Sequence, residues 1–187
     1  YVIQRSESLM GLCYLLTLYS VVRGTRSSHP RMWSCAAVLA CALGMASKAV
    51  MVTAPLLTGL YDRVFLSPSW RAAWRERKRL YLGLAATWGL LVWLLREPSA
   101  WAGAGFGLKD VTPLEYLLTQ PGVLLHYVRL AVWPDPLVLD YGWQVAGTLT
   151  RILPPLLVIG AGGGATLWAL RRRPALGFLG AWFFVIL

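Results

Sequence analysis

Residues 152–170 read ILPPLLVIGAGGGATLWAL, nineteen positions without a charged side chain. About 20 apolar residues in a helix cross the hydrocarbon core of a bilayer, so this run is long enough to span a membrane. Five further apolar stretches occur in the chain, and each predicts a membrane helix. Their approximate bounds are 9–22, 32–47, 49–66, 80–95 and a last run that starts near residue 175.

The composition agrees with a membrane protein. Of the 187 residues, 57% are hydrophobic and 14% are charged, whereas about a quarter are charged in ordinary soluble domains. These values exclude a disordered chain and argue against a soluble globular domain. We therefore predict an all-α fold, a polytopic helix bundle with about six spans. Because the chain starts at Tyr1 and stops within an apolar run, we interpret it as an internal fragment of one larger domain.

The charge distribution predicts the orientation of these spans. A net charge of +10 would suggest nucleic-acid binding in a soluble protein. Here the basic residues lie between apolar runs, which favours membrane orientation instead, and no nucleic-acid partner is expected. Twelve of the 18 basic residues fall on one side of the predicted spans, and the positive-inside rule places that side in the cytoplasm. The twelve are Arg23, Arg26, Arg31, Arg63, Arg71, Arg75, Arg77, Lys78, Arg79, Arg171, Arg172 and Arg173.

Several short features favour structural roles over ligand binding. The basic stretch 67–79, with Trp70 and Trp74, is typical of an interfacial helix on anionic lipid headgroups. The glycine run 160–164 lacks the Lys and Ser/Thr of a phosphate loop, so we expect it to allow close helix packing. The chain has three cysteines, an odd number, and their spacing does not match a metal-ligand pattern. We therefore predict that they are free, buried thiols. No metal or cofactor is expected.

The segment 97–150 separates the fourth and fifth spans and is predicted to be a long, structured, non-cytoplasmic loop. Thr112-Pro113-Leu114-Glu115 forms a capping-box pattern, so a helix should begin at Pro113. We expect Pro121-Gly122 to kink or break it, with helix resuming to Trp133 and ending at Pro134.

If the two halves stay collinear, one face of this helix is polar. That face could look into a cavity within the membrane or simply towards water, and the sequence leaves both open. His126 is favoured as a hydrogen-bonded structural residue over a ligand. The residues of the face are Glu115, Thr119, Gly122, His126 and Arg129.

Four ionisable residues are expected near the outer membrane face: Arg5, Glu7, Lys48 and Asp140. Charges at membrane depth are costly and are functional hypotheses by default. The alternative is that they are ordinary interface residues.

Three ordered motifs give the chain a family resemblance. The run QRSESL at residues 4–9 resembles the Gly-Arg-Ala-Glu/Asp-Leu-Leu element of the transmembrane and tetratricopeptide-repeat O-mannosyltransferases. Ser47-Lys48, followed by Val50 and a proline-containing span, resembles their Ser-Lys-Glu element. Pro134-x-x-Leu137-x-x-Asp140-Tyr141 resembles their Pro-x-x-Leu-x-x-Asp-Trp element. The bacterial members of the family look most similar.

The resemblance implies a C-type glycosyltransferase fold in the bacterial inner membrane. Such enzymes move a sugar from a polyprenyl-phosphate donor to a protein or glycan acceptor at the non-cytoplasmic face. It also implies tetratricopeptide repeats beyond the C-terminus, and a catalytic acidic residue in an outer loop before residue 5. The catalytic residue is therefore unknown within this chain.

One departure from the family pattern concerns Lys48. The Glu expected after it is Ala49, and the lost carboxylate is one that could pair with Lys48 or shape the site. This departure favours an alternative, a non-catalytic membrane scaffold of the same fold. A transporter is a third possibility, although the first four spans show no paired broken helices.

Arg129 is the residue in this chain that we expect to bind the donor phosphate. It is the only basic residue between Pro121 and Trp133, and an arginine offers two parallel hydrogen bonds to a phosphate. The competing interpretation is a structural ion pair of Arg129 with Glu115, Asp135 or Asp140.

Overall fold

The computed structural model describes residues 3–94, 96, 112–135, 138 and 148–186, and these residues form helices joined by short turns. The all-α prediction is therefore confirmed for the described part of the chain. Seven α-helices run in the order α1 (Ile3–Arg26), α2 (Pro30–Ser47), α3 (Ala54–Tyr61), α4 (Trp70–Leu94), α5 (Pro113–Val132), α6 (Leu149–Arg172) and α7 (Pro174–Ile186). They divide between two compact units, with α1–α4 in the first and α5–α7 in the second.

The first unit is built on a helical hairpin. Helices α1 and α2 pack against each other, and α4 packs against α2. The turn between α1 and α2 is closed by Ser27, whose hydroxyl accepts hydrogen bonds from the backbone N–H of His29 and from the indole N–H of Trp33, both at 3.1 Å. Pro30 then starts α2, where the missing N–H of proline has no cost.

The third predicted span is helical but irregular. Lys48 is extended (φ −160°, ψ 142°) and is followed by a 3₁₀ turn at Ala49–Thr53, then α3, then a π-helical turn at Asp62–Leu66. Short 3₁₀ and π segments often mark functional or strained positions in helices. The single regular helix expected over 49–66 is therefore replaced by three consecutive helical types.

Helix α4 joins two stretches that the sequence separates. The basic stretch and the fourth apolar run form one continuous element, with a kink at Arg77, whose backbone is non-helical (φ −125°, ψ 25°). The kink falls between the Arg-rich first half and the apolar second half.

The second unit contains α5 and α6, which pack together, and α7, which turns back onto the end of α6. The start of α5 at Pro113 and its end at Val132 confirm the predicted helix limits. The predicted break at Pro121-Gly122 is wrong, because α5 continues through both residues. Proline removes one N–H donor from a helix, and α6 likewise accommodates Pro154 and Pro155 within its length.

By length and hydropathy, two of the described helical segments could cross a membrane: Ala49–Leu66 and Leu149–Arg172. The shorter α7 is also apolar. Six spans are not supported by this criterion, since α1, α2 and α4 do not meet it. Their charged ends and internal Ser, Thr and Gly residues lower the mean hydropathy of any long window.

The first unit buries several hydroxyl side chains within an otherwise apolar core and also exposes large apolar side chains on its surface. Thr17, Thr58 and Thr87 are at most 4% exposed. By contrast, large apolar side chains on the outer faces of α1 and α2 are more than half exposed, as with Leu15 at 61% and Leu39 at 65%. Soluble domains usually bury such side chains, whereas helix interfaces in lipid are enriched in small and hydroxyl residues.

Candidate functional site

An ion pair joins the first two motif regions. The Lys48 ammonium lies in direct contact with the Glu7 carboxylate, bridging the C-terminal end of α2 and the N-terminal end of α1. Both side chains are accessible, with exposed fractions of 37% for Lys48 and 48% for Glu7. The antiparallel α1–α2 hairpin produces this contact, because it places residues near the start of α1 beside residues at the end of α2.

Two hydrogen bonds fix the 3₁₀ turn that follows Lys48. The hydroxyls of Tyr14 and Thr53 are 3.1 Å apart, which ties the turn to α1. The indole N–H of Trp88 donates to the carbonyl of Val52 at 3.0 Å, which ties it to α4. Helices α1, α2 and α4 therefore meet at this end of the first unit. We call Lys48, Glu7 and the adjoining 3₁₀ turn the Lys48 site.

Arg5 does not join the pair in the same way. It precedes Glu7 by two residues on α1, a spacing that puts side chains on different sides of a helix, and it is exposed. Ala49 is also exposed. Lys48 nevertheless has a carboxylate partner in the structure, because Glu7 supplies one from α1.

Helix α5 carries the remaining described candidates in the second unit. Glu115 is occupied by the capping box: its carboxylate accepts from the backbone N–H of Thr112 at 2.9 Å and from the Thr112 hydroxyl at 2.7 Å. These two hydrogen bonds lower the pKa of Glu115. The capping box is thus confirmed, and Glu115 is not the partner of Arg129.

Arg129 and His126 share the same continuous helix. Arg129 is exposed, whereas His126 is half-buried. Their spacing of three residues places them on one face, as the collinear alternative requires. Asp140, with Leu137 and Tyr141 of the third motif, lies outside the described residues, as do Glu97 and Asp110.

A buried polar cluster surrounds Asp62, a residue that the sequence patterns above did not single out as a candidate. Asp62 is fully buried, and Arg77 Nη1 lies 2.8 Å and 2.9 Å from its two carboxylate oxygens. The Ser67 hydroxyl donates to Asp62 Oδ1 at 2.7 Å, and the Tyr81 hydroxyl donates to Oδ2. The cluster links the π-helical turn to the kink of α4.

A sequence signal for this cluster exists. Asp62 is the only acidic residue between Glu7 and Glu76, and it follows an apolar run. A buried carboxylate of this kind needs a cationic partner, and the nearest arginine-rich segment provides it.

A groove of about 950 Å³ opens between α1, α2 and α4, at the end of the first unit remote from Lys48. We call it the basic groove. Apolar side chains of Val21, Val38, Leu39 and Leu80 contribute to its walls. Its charged lining residues are Arg31, Arg75, Glu76, Arg77, Lys78 and Arg79.

The three cysteines differ in their burial. All three cysteines are free; Cys13 and Cys41 are buried as expected, but Cys35 is exposed in the basic groove, which corrects the prediction.

Within the glycine run, a Cβ on Gly162 would lie 3.1 Å from the ring of Phe184, while Gly164 faces open space. Close packing therefore involves one part of the run.

Among the described residues, no group of three His, Cys, Asp or Glu side chains is arranged to hold a metal ion. Comparison of the chain with models of protein families, with curated proteins and with solved structures gave no match. The chemistry of the sites therefore rests on their own geometry.

Proposed function

We propose that this chain is part of a multi-pass membrane glycosyltransferase that takes its sugar from a polyprenyl-phosphate donor. The acceptor would be a protein or glycan at the non-cytoplasmic face. The observation that carries the proposal is the contact between Lys48 and Glu7, since it joins two of the three motif regions at one end of the first unit.

Membrane embedding is supported by the surface of the helices as well as by their hydropathy. Around α1 the exposed side includes Leu12, Leu15 and Tyr19, each more than half exposed, while Thr17 and Ser20 face inward. An apolar outer surface of this extent suits lipid, and hydroxyl groups suit helix–helix contacts within it. This distribution supports more spans than a hydropathy window finds.

The Lys48 site fits one phosphate group of a lipid-linked sugar. A polyprenyl-phosphate sugar is a phosphodiester with one negative charge. The Lys48–Glu7 pair is formally neutral, and exposed Arg5, two residues before Glu7 on α1, brings the formal charge at this end of the first unit to +1. Glu7 holds the ammonium in place, and the accessible part of Lys48 can donate to a phosphate oxygen. Because negative charge builds on the leaving phosphate during transfer, such a cation stabilises the transition state.

Within the second unit, Arg129 of α5, with His126 on the same helix face, remains a separate candidate for binding donor phosphate. Asp140 lies outside the described residues and stays a candidate on the resemblance alone. The base that removes the proton from the acceptor hydroxyl is a carboxylate outside the described residues, in the outer loop that the resemblance implies.

A charge-reversal pair tests the role of Lys48. In Glu7→Lys/Lys48→Glu the ion pair is retained, but the cation moves to α1. If Lys48 binds donor phosphate, transfer of labelled sugar from the polyprenyl-phosphate donor should fall about tenfold to a hundredfold, the loss expected for one hydrogen bond to a charged group. Arg171→Gln, in the second unit, is the control that removes an exposed cation.

Wild-type activity in the double-reversal protein would show that the pair is only structural and would refute the Lys48 assignment. Absence of both donor binding and transfer in the wild type would refute the enzyme proposal and favour the scaffold. Ala49→Glu provides a further comparison: since Glu7 already pairs with Lys48, we expect little gain in transfer from restoring that carboxylate.

A further inference from the structure

The basic groove has no part in the proposed glycosyl transfer. It borders Ser20–Thr25 of α1 and Pro30–Leu39 of α2, whereas Glu7 and Lys48 lie at the other ends of the same helices. Seventeen residues of helix separate Glu7 from Gly24, a distance of about 25 Å at 1.5 Å per residue. A ligand in the groove would not touch the Lys48 site.

The cations of the groove are largely free to bind a ligand. Among the described cations that line the groove, Arg77 is the one that forms ion pairs: its guanidinium contacts Asp62 at 2.8 Å and Glu76 at 3.2 Å. The lining cations without such a pair are Arg31, Arg75, Lys78 and Arg79. Glu76 is the single acidic residue of the lining, so the groove carries a clear positive excess.

The walls next to these cations are apolar. Val38 and Leu39 of α2 face the groove opposite Leu80 of α4. Gly83 allows this close approach of α4 to α2, since a Cβ there would lie 2.7 Å from a methyl group of Val38. The groove therefore offers cations at one part and hydrocarbon at another, within the volume range of ordinary ligand sites.

We infer that the basic groove binds one anionic phospholipid. The headgroup phosphate would contact Arg75, Lys78 and Arg79, and an acyl chain would lie along Val38 and Leu39. Charge complementarity selects the anionic headgroup, and the apolar wall selects a lipid over a free phosphate. The site differs from a general interfacial attraction of stretch 67–79, because α1 and α2 supply its walls.

Cys35 provides a reporter inside the groove. It is the exposed cysteine of the three, and it lines the groove beside Ser34 and Val38. In nanodiscs of phosphatidylcholine, alkylation of Cys35 by N-ethylmaleimide, followed by peptide mass spectrometry, should be fast. Phosphatidylglycerol should slow it, whereas soluble glycerol phosphate should not.

Matched triple variants separate the groove from general surface charge. Each cation near an anionic headgroup contributes about a fivefold gain in affinity, so Arg75→Gln/Lys78→Gln/Arg79→Gln should weaken phosphatidylglycerol binding about a hundredfold in native mass spectrometry and abolish protection of Cys35. Arg171→Gln/Arg172→Gln/Arg173→Gln removes the same charge from the second unit and should leave protection intact.

Three results would overturn the inference. The first is an equal rate of Cys35 alkylation in the two lipids. The second is equal loss of protection in both triple variants, which would indicate only surface charge. The third is full protection by glycerol phosphate, which would indicate a small-anion site and not a lipid site.

Discussion

The carboxylate of Asp62 should be a main determinant of stability in the first unit. Asp62 is fully buried and accepts hydrogen bonds from Arg77, Ser67 and Tyr81. In Asp62→Asn the side chain keeps nearly the same shape, so the change removes charge and not volume. It deprives the Arg77 guanidinium, whose side chain is only 20% exposed, of the closer and buried one of its two carboxylate partners.

The size of the effect follows from that burial. Removing one partner of a buried ion pair costs about 3–5 kcal/mol. We expect about 3 kcal/mol for Asp62→Asn, the lower end, because Arg77 retains some access to solvent and a contact with Glu76. Glu76→Gln is the matched control: its side chain is 59% exposed, and an exposed pair contributes about 0–1 kcal/mol.

Equilibrium unfolding in mixed micelles, followed by circular dichroism, measures both changes. The double-mutant cycle of Asp62→Asn with Arg77→Gln should give a coupling energy of about 1–3 kcal/mol, because the two residues share one hydrogen-bond network. A free energy of unfolding for Asp62→Asn within about 1 kcal/mol of the wild type, or a cycle with no coupling, would refute this reasoning.

The remaining predictions concern α5, the α6–α7 turn and the orientation. Thr112→Ala should destabilise the start of α5 by about 1 kcal/mol, seen as faster amide exchange at residues 114–116; unchanged exchange would contradict the cap. The pKa of Glu115 is lowered in the folded state, so its contribution to the stability of the start of α5 is present above the ordinary carboxyl pKa. That stability is lost as the pH falls through the lowered pKa, and Glu115→Gln should remove this acid dependence of amide exchange. Gly177→Ala should cost about 1–3 kcal/mol, since its Cβ would lie 2.2 Å from the backbone of Leu170, whereas Gly164→Ala meets open space and should be neutral or stabilising; equal effects would refute the packing argument. Finally, a cysteine at position 76 in a cysteine-free background should resist an impermeant reagent added outside intact cells, and labelling from outside would reverse the proposed orientation.

Local patterns in the sequence determined the limits of α5. The capping box at Thr112-Pro113-Leu114-Glu115 and the proline at position 134 predicted both ends of α5, because caps and helix breakers act over a few residues. The same local logic failed at Pro121. Pro121 removes one backbone hydrogen bond, but the helical residues before and after it keep α5 continuous. The expectation that proline breaks a helix considers only the proline and leaves these neighbours out.

Only the tertiary structure decided which distant residues meet. Lys48 seemed to lack a carboxylate because the neighbouring position is Ala49, yet the α1–α2 hairpin brings Glu7 to it from 41 residues away. Asp62 looked like one acid at the end of an apolar run, and packing of the π-helical turn against the kink of α4 made it the centre of a buried network. Periodicity and capping report on contacts within about one helical turn, whereas ion pairs between helices depend on how the helices pack, which no short stretch of sequence contains.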